Sequence, residues 1–391
     1  MAVDRSVQPP LEKRPHRPAP GLVRWLLGGG AILGVALLCV LALRHDPTVP
    51  VVRRDDLWYP AGDRYAGTQS CVRCHGALVD QQKVTAHATT VRRLTKGKGV
   101  VHPGGPGVRD PQTGAIYRVE PRKGKDSVVL RSGPLEAAAS LEWEFGSGRH
   151  AQGYIARMED GGFVDCRLNW YHETNGWYFA SGQDKPTRTL LDHPLGRPLS
   201  KGEINRCFSC HSTELRAEGE VRAGLTHDQI QVNPDRSVVG VLCEGCHGPR
   251  AAHVAAFEQR KPTPRPAKMT AIQINELCGQ CHSRSDLNPV TAIVARFQPW
   301  SLERSRCFQA SQGRLSCLTC HDPHGNAESS PTYYNARCLS CHSREAVTQQ
   351  KAAHSCPVNK TDNCISCHMP RDSTSMLHIT FTDHRIRVPS D

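Results

Sequence analysis

Seven times along 391 residues the chain reads Cys-x-x-Cys-His. The copies are Cys71/Cys74/His75, Cys207/Cys210/His211, Cys243/Cys246/His247, Cys278/Cys281/His282, Cys317/Cys320/His321, Cys338/Cys341/His342 and Cys364/Cys367/His368. With 18 Cys and 20 His placed at random, about 0.04 such motifs would be expected in this length. The spacing is the attachment signal for haem c, since two intervening residues let both sulfurs form thioethers to one porphyrin while the adjacent His faces its iron. Zinc also uses Cys-x-x-Cys pairs but does not require His in the very next position, and seven is an odd number of pairs. A thioredoxin-like redox pair needs one motif in a βαβ setting. We therefore expect seven covalently bound haem c groups, with the fourteen motif cysteines as attachment points and the seven motif histidines as proximal ligands.

This expectation accounts for an unusual composition. Only 38% of the chain is apolar and 6% aromatic, with 33 Gly and 28 Pro, too little for an ordinary core of this size. Porphyrins packed in the interior would fill that role. The net charge of +12 raises the question of a nucleic-acid partner. Residues 1–54 carry eight Lys/Arg against three acids, and haem propionates would offset much of the remainder, so no nucleic acid is expected.

From Trp25 to Leu43 the sequence runs without a charge, enough for a helix to cross a bilayer. The basic, Pro-rich arm before it should stay in the cytoplasm while Arg44 onward is exported. The expected organisation is a disordered arm at 1–24, an uncleaved inner-membrane anchor at 25–43, a linker at 44–60 and a periplasmic heptahaem domain at 61–391. Within that domain, runs such as AIYRVE, SVVLRS, LEWEF, GYIARM, FVDCRLNWY and GWYFA, separated by EDGG and HETNG, read as an antiparallel meander inserted at about 110–185.

The sixth position of each iron decides whether a haem only carries electrons or also binds a substrate. Beyond the initiator, Met158, Met269, Met369 and Met376 offer little competition to His, so His/His ligation is expected. The candidates for the second ligand are His87, His150, His253, His324, His354, His378 and His384, with His227 a rival to His150. His324 lies too close to His321 in sequence to reach over the same ring, so a neighbouring haem is its expected partner. His102, His172 and His193 read as structural. Of the cysteines left over, Cys307 and Cys356 are expected to form a disulfide and Cys166 to be a buried free thiol.

The strings CHGPRAAH, SCLTCHDPHG, CISCHMP followed by HITFTDHRI, and GSGRHAQGYI resemble multihaem cytochromes of the doubled-CXXCH and cytochrome c-554-like group, distant relatives of hydroxylamine oxidoreductase and pentahaem nitrite reductase. The resemblance runs from about Tyr65 to Arg387. It implies a mainly helical, loop-rich scaffold with a small β insertion, closely packed His/His haems and a respiratory electron-transfer role. The chain has no Cys-x-x-Cys-Lys motif, so the active haem of pentahaem nitrite reductase has no counterpart here, and no catalytic residue is named. The expected function is electron transfer between a membrane donor, such as a quinol-oxidising complex, and a periplasmic acceptor or donor protein. The alternative is an oxidoreductase acting on a small nitrogen or sulfur compound at one open iron.

Overall fold

The computed structural model describes residues 64–388 apart from 96–98, 101, 103, 186, 188–190, 217–231, 264–267, 284–296, 344–354, 360 and 374–377. The arm, the anchor at 25–43, the linker, His227 and His354 lie outside the described residues. Among the described residues no helix is long and apolar enough to cross a membrane.

After helix α1 (Thr68–Gln82) the chain enters ten strands: β1 (Val91–Arg93), β2 (Val108–Arg109), β3 (Ile116–Arg122), β4 (Lys125–Ser132), β5 (Leu135–Phe145), β6 (Ala151–Arg157), β7 (Phe163–Cys166), β8 (Leu168–Tyr171), β9 (Gly176–Phe179) and β10 (Gly196–Pro198). They form one antiparallel sheet in the order β10-β7-β6-β5-β4-β3-β2, with β1 added to β5, and β8 joining β6 to β9. The β-branched and aromatic runs of the sequence are these strands. Lys123 and Gly124, with φ of 48° and 79°, make the two-residue turn between β3 and β4, a geometry whose twist matches that of the flanking strands. The sheet curls until it nearly closes into a barrel.

The expected fold class is thereby corrected. The β part is no small insertion on a mainly helical scaffold: strand makes up about 24% and helix about 32%, and the sheet supplies most of the large fully buried side chains, including Tyr117, Leu141, Tyr154, Leu168 and Tyr171. The helices are short and bury little; the helix at Ala251–Glu258 buries none of its residues. Counting motifs overweighted the helical half, because a haem-attachment motif needs one helical turn and few core side chains.

A bulge in β5 between Leu141 and Trp143 divides the apolar side chains between the two faces. Leu141 joins Tyr117, Val128, Tyr154, Leu168 and Trp177 inside the curl. Trp143 joins Val91, Ile155 and Phe208 outside it. Phe208 lies on helix α2 (Lys201–His211), so the outer cluster docks one motif helix on the sheet, with Phe208 edge-on to Trp143 at 5.0 Å and to Phe145 at 5.1 Å.

The remaining chain is a series of short pieces. These are β11 (Ser212–Glu214) paired with β12 (Val238–Val239), then α3 (Cys243–His247), α4 (Ala251–Glu258), α5 (Ala271–His282), α6 (Gln298–Glu303), α7 (Arg306–Ala310), a 3-10 turn at Cys317–Thr319, α8 (Pro331–His342), α9 (Cys364–His368) and a closing hairpin of β13 (Arg371–Ser373) and β14 (Thr380–Thr382). Capping boxes start two of the longer motif helices, Ser200 with Glu203 on α2 and Thr270 with Gln273 on α5.

Candidate haem sites

Six of the seven motifs are delivered by a helical turn; in the fifth a 3-10 turn ends at Thr319, and Cys320 and His321 lie beyond it. In α2, α3, α5, α8 and α9 the motif His is the last helical residue, and in α1 the backbone leaves helical geometry at His75 (φ −118°, ψ 29°). Residues i, i+3 and i+4 share one face of a helix, so both sulfurs and the imidazole point the same way. A planar macrocycle bonded to both sulfurs would lie beneath that imidazole.

Six of the seven motifs come together in twos through their first cysteines. The thiols of Cys71 and Cys243, of Cys278 and Cys317, and of Cys338 and Cys364 are close neighbours that influence one another's ionisation. A buried polar group locks each of these contacts. Glu244, inside the third motif, accepts from the backbone N–H groups of Ala66 and Gly67 (2.8 Å each) at the start of α1, and from that of Arg250 (2.9 Å). Asn275 on α5 accepts from the N–H of Cys317 at 3.0 Å, and Asn335 on α8 from the N–H of Cys364 at 3.1 Å. All three side chains are buried. Burial also pushes the thiol of Cys207 up to about 11 and that of Cys338 up to about 12.

In five motifs the second cysteine stands further out than the first. Cys74, Cys246, Cys281, Cys341 and Cys367 are exposed, and Cys210 and Cys320 are half-buried. The hydroxyl of the preceding serine lies 3.9 Å from the sulfur of Cys210 and 3.8 Å from that of Cys367.

Three motif imidazoles face a second imidazole. The ring centroids are 5.9 Å apart for His282 and His87, 6.0 Å for His247 and His324, and 6.2 Å for His321 and His384. With metal–nitrogen bonds of about 2 Å, two imidazoles on opposite faces of one iron place their centroids about 6 Å apart. The donor sets therefore fit haem iron with two axial His. Burial lowers the pKa of His87, His247, His321 and His384, and that of His282 falls to about 4 through burial and then the neighbouring His87. All five are neutral near pH 7, the form that ligates metal.

Several rings are also held in the right tautomer. Nδ1 of His211 donates to the carbonyl of Thr90 at 3.1 Å, with the Thr90 hydroxyl 2.7 Å away. Nδ1 of His368 donates to the carbonyl of Arg387 at 2.7 Å, and Nδ1 of His384 to that of Thr382 at 2.9 Å. Each bond leaves Nε2 as the bare ligand nitrogen and fixes the ring's orientation.

The other expected ligands lie elsewhere. His150, 3.8 Å from Glu173, sits beside Phe381 of β14, and His378 packs on Tyr178 at 4.0 Å and Tyr171 at 5.2 Å. Both mark where the closing hairpin meets the sheet. His253 is carried on α4, just after the third motif. His102 stacks on Trp170 at 4.2 Å, and both it and His172 reach Gln152, which donates to Glu144. Cys166 is buried inside the curled sheet. Cys307 and Cys356 are both free thiols in the structure, not the expected disulfide: Cys307 Sγ lies 3.9 Å from His342 Nε2, and Cys356 Sγ accepts from the Asn359 N–H.

Sequence reasoning passed over Glu244, Asn275, Asn335 and Thr90. A faint signal existed for two of them, since Asn stands three residues before the first cysteine in both NELC and NARC. Thr90 and Glu244 act across long sequence separations and left none.

No protein-family model matches the chain. It is similar to the dissimilatory sulfite reductase MccA of Wolinella succinogenes, with 22% identity over 82% of this chain and 52% of that protein. The chain thus spans about half the length of the curated relative it matches. Among solved structures, the outer cell wall cytochrome OcwA shares 14% identity with a TM-score of 0.48, over 83% of this chain and 79% of that one.

Proposed function

We propose that this multihaem c-type cytochrome holds seven haems and conducts electrons along them, between a membrane donor and a partner protein on the extracytoplasmic side. Bound haem would supply one-electron chemistry at each iron; the chain's own residues hold, orient and space those centres. The reading rests on the three facing imidazole pairs. They would fill both axial positions of a bound haem iron, which favours electron transfer over substrate binding at those centres.

The pairs also interlace the motifs. His87 follows the first motif and faces the fourth; His324 follows the fifth and faces the third; His384 follows the seventh and faces the fifth. The cysteine contacts join first to third, fourth to fifth and sixth to seventh. Thr90, three residues after His87, ties in the second. Every motif is therefore linked to another by a side chain or a short segment, the proximity that hopping requires. The sheet would shield the second centre on one side, and the stretch at 25–43 would tether the domain to the inner membrane.

A second reading, reduction of a sulfur oxyanion at an iron whose sixth position is open, is favoured by the similarity to a protein named as a dissimilatory sulfite reductase. Intact-mass measurement of the purified chain should show seven added haems. EPR of the oxidised protein should show low-spin iron alone, unchanged by sulfite, nitrite, hydroxylamine or CO. A high-spin signal that shifts with sulfite would make the second reading the correct one.

A further inference from the structure

We propose that Cys307 is the sixth ligand of the haem held by Cys338, Cys341 and His342, so that one centre is His/Cys-ligated among His/His neighbours. The inference rests on reading that motif as a haem site.

The atom facing Cys307 Sγ is Nε2 of His342, at 3.9 Å, and Nε2 is the nitrogen an attachment motif offers to iron. Two ligands on opposite faces of one metal, with bonds of about 2.0 Å to nitrogen and about 2.3 Å to sulfur, stand about 4.3 Å apart. The observed separation is within a few tenths of an ångström of that span. A thiol is a weak hydrogen-bond donor, which makes a simple Cys–His hydrogen bond a poor reason for the arrangement. At three other motifs a group facing the proximal His at the matching distance is an imidazole; a neighbour of His342 at such a distance is a thiol.

The position is built, not incidental. Cys307 lies in the first turn of α7, capped by the buried Ser305 whose hydroxyl accepts from the Phe308 N–H at 3.1 Å. At the other end the Ser311 N–H donates to the Cys307 carbonyl at 2.9 Å. The thiol is partly buried and near the attachment cysteines Cys320 and Cys338, which places it among the fifth and sixth motifs. It is not in a disulfide. On bonding ferric iron the thiol would lose its proton to solvent, as coordinating thiols do. The thiolate would push electron density onto the metal and hold this centre ferric at potentials where its neighbours are already reduced.

The test uses the full haem-loaded chain with Cys307→Ala and Cys307→His. The wild type should show a thiolate-to-iron charge-transfer band in near-infrared magnetic circular dichroism and a separate low-spin EPR species amounting to one haem per chain. Cys307→Ala should abolish both and create one high-spin haem that binds CO when reduced; Cys307→His should replace them with one further His/His signal, and this variant decides the matter should the alanine variant fail to fold. A wild type with its full haem complement and only His/His signals, unaltered by either substitution, overturns the proposal. A tryptic peptide containing Cys338 and Cys341 without haem overturns the haem reading of this motif itself, and mass alone tells that result from the previous one.

Discussion

The side-chain oxygen of Asn335 accepts a hydrogen bond from the backbone N–H of Cys364 across 29 residues, at 3.1 Å, so that the helix ending in one attachment motif holds the first residue of the next. Asn275 does the same for Cys317. Paired motifs are thus registered by a buried amide and not by the cysteines alone.

Replacing Asn335 by Ala leaves the Cys364 N–H without this acceptor in a partly buried place. We expect a loss of about 1–3 kcal/mol, read as a lower midpoint in thermal unfolding followed at the haem absorption band. Haem stoichiometry should be unchanged, because the attachment residues remain. An unaltered midpoint would show that water replaces the amide at no cost.

Removing one facing imidazole should open one iron. His87→Ala, His324→Ala and His384→Ala are each expected to convert one low-spin haem to a high-spin, CO-binding one, counted by EPR and by CO titration of the reduced protein. The three effects should be additive, since each imidazole faces a different motif His. A variant that keeps all its haems low-spin would show that the paired ring is not the ligand.

Gly240 sits where three motif regions cross. Its N–H donates to the His211 carbonyl at 2.9 Å, its φ is +83°, and a Cβ there would collide with the carbonyl oxygen of Ala88, one residue after His87. Gly240→Ala combines a strained backbone with a backbone clash, so we expect a destabilisation of about 2 kcal/mol or more. Spectral change should fall on the centres of the second and fourth motifs. A stable variant with a native spectrum would refute this.

The cap of α2 sets an acid limit. Burial alone would push the Glu203 carboxyl up, but the N–H and hydroxyl of Ser200 and the guanidinium of Arg197 outweigh it and bring the pKa down to about 2. A carboxyl whose pKa falls on folding adds stability that is full above its unfolded value and is lost as pH drops toward the folded one. Stability should therefore decline from about pH 4.5 to about pH 2. Glu203→Gln should flatten part of that decline and cost about 1 kcal/mol at pH 7, both measurable by denaturant titration at a series of pH values.

What could be read from the residues alone divides along physical lines. The multihaem character was legible because a Cys-x-x-Cys-His motif occupies five contiguous positions, and contiguity survives in a linear string. The strands were legible too, from runs such as SVVLRS and GYIARM. Their weight in the fold was not, because nothing local says that β8 will bridge β6 and β9 or that β1 will return to β5. Ligand pairing was hidden for the same reason. His378 and His384 are six residues apart in one polar tail, yet the first packs against Tyr178 and the second faces His321. Cys307 and Cys356 were expected to pair because both lie in the C-terminal cluster of motifs; the position of Cys307 beside His342 points elsewhere.

The four residues from His87 to Thr90 run directly into β1. One end presents an imidazole across from His282 and the other steers the ring of His211 through a carbonyl. Two motif histidines thereby share a single brace rooted in the sheet. With haem held at both motifs, a mounting of that kind would resist shifts in bond length as charge arrives and departs; under the proposed electron-transfer role the sheet would then serve less as a cover than as a chassis.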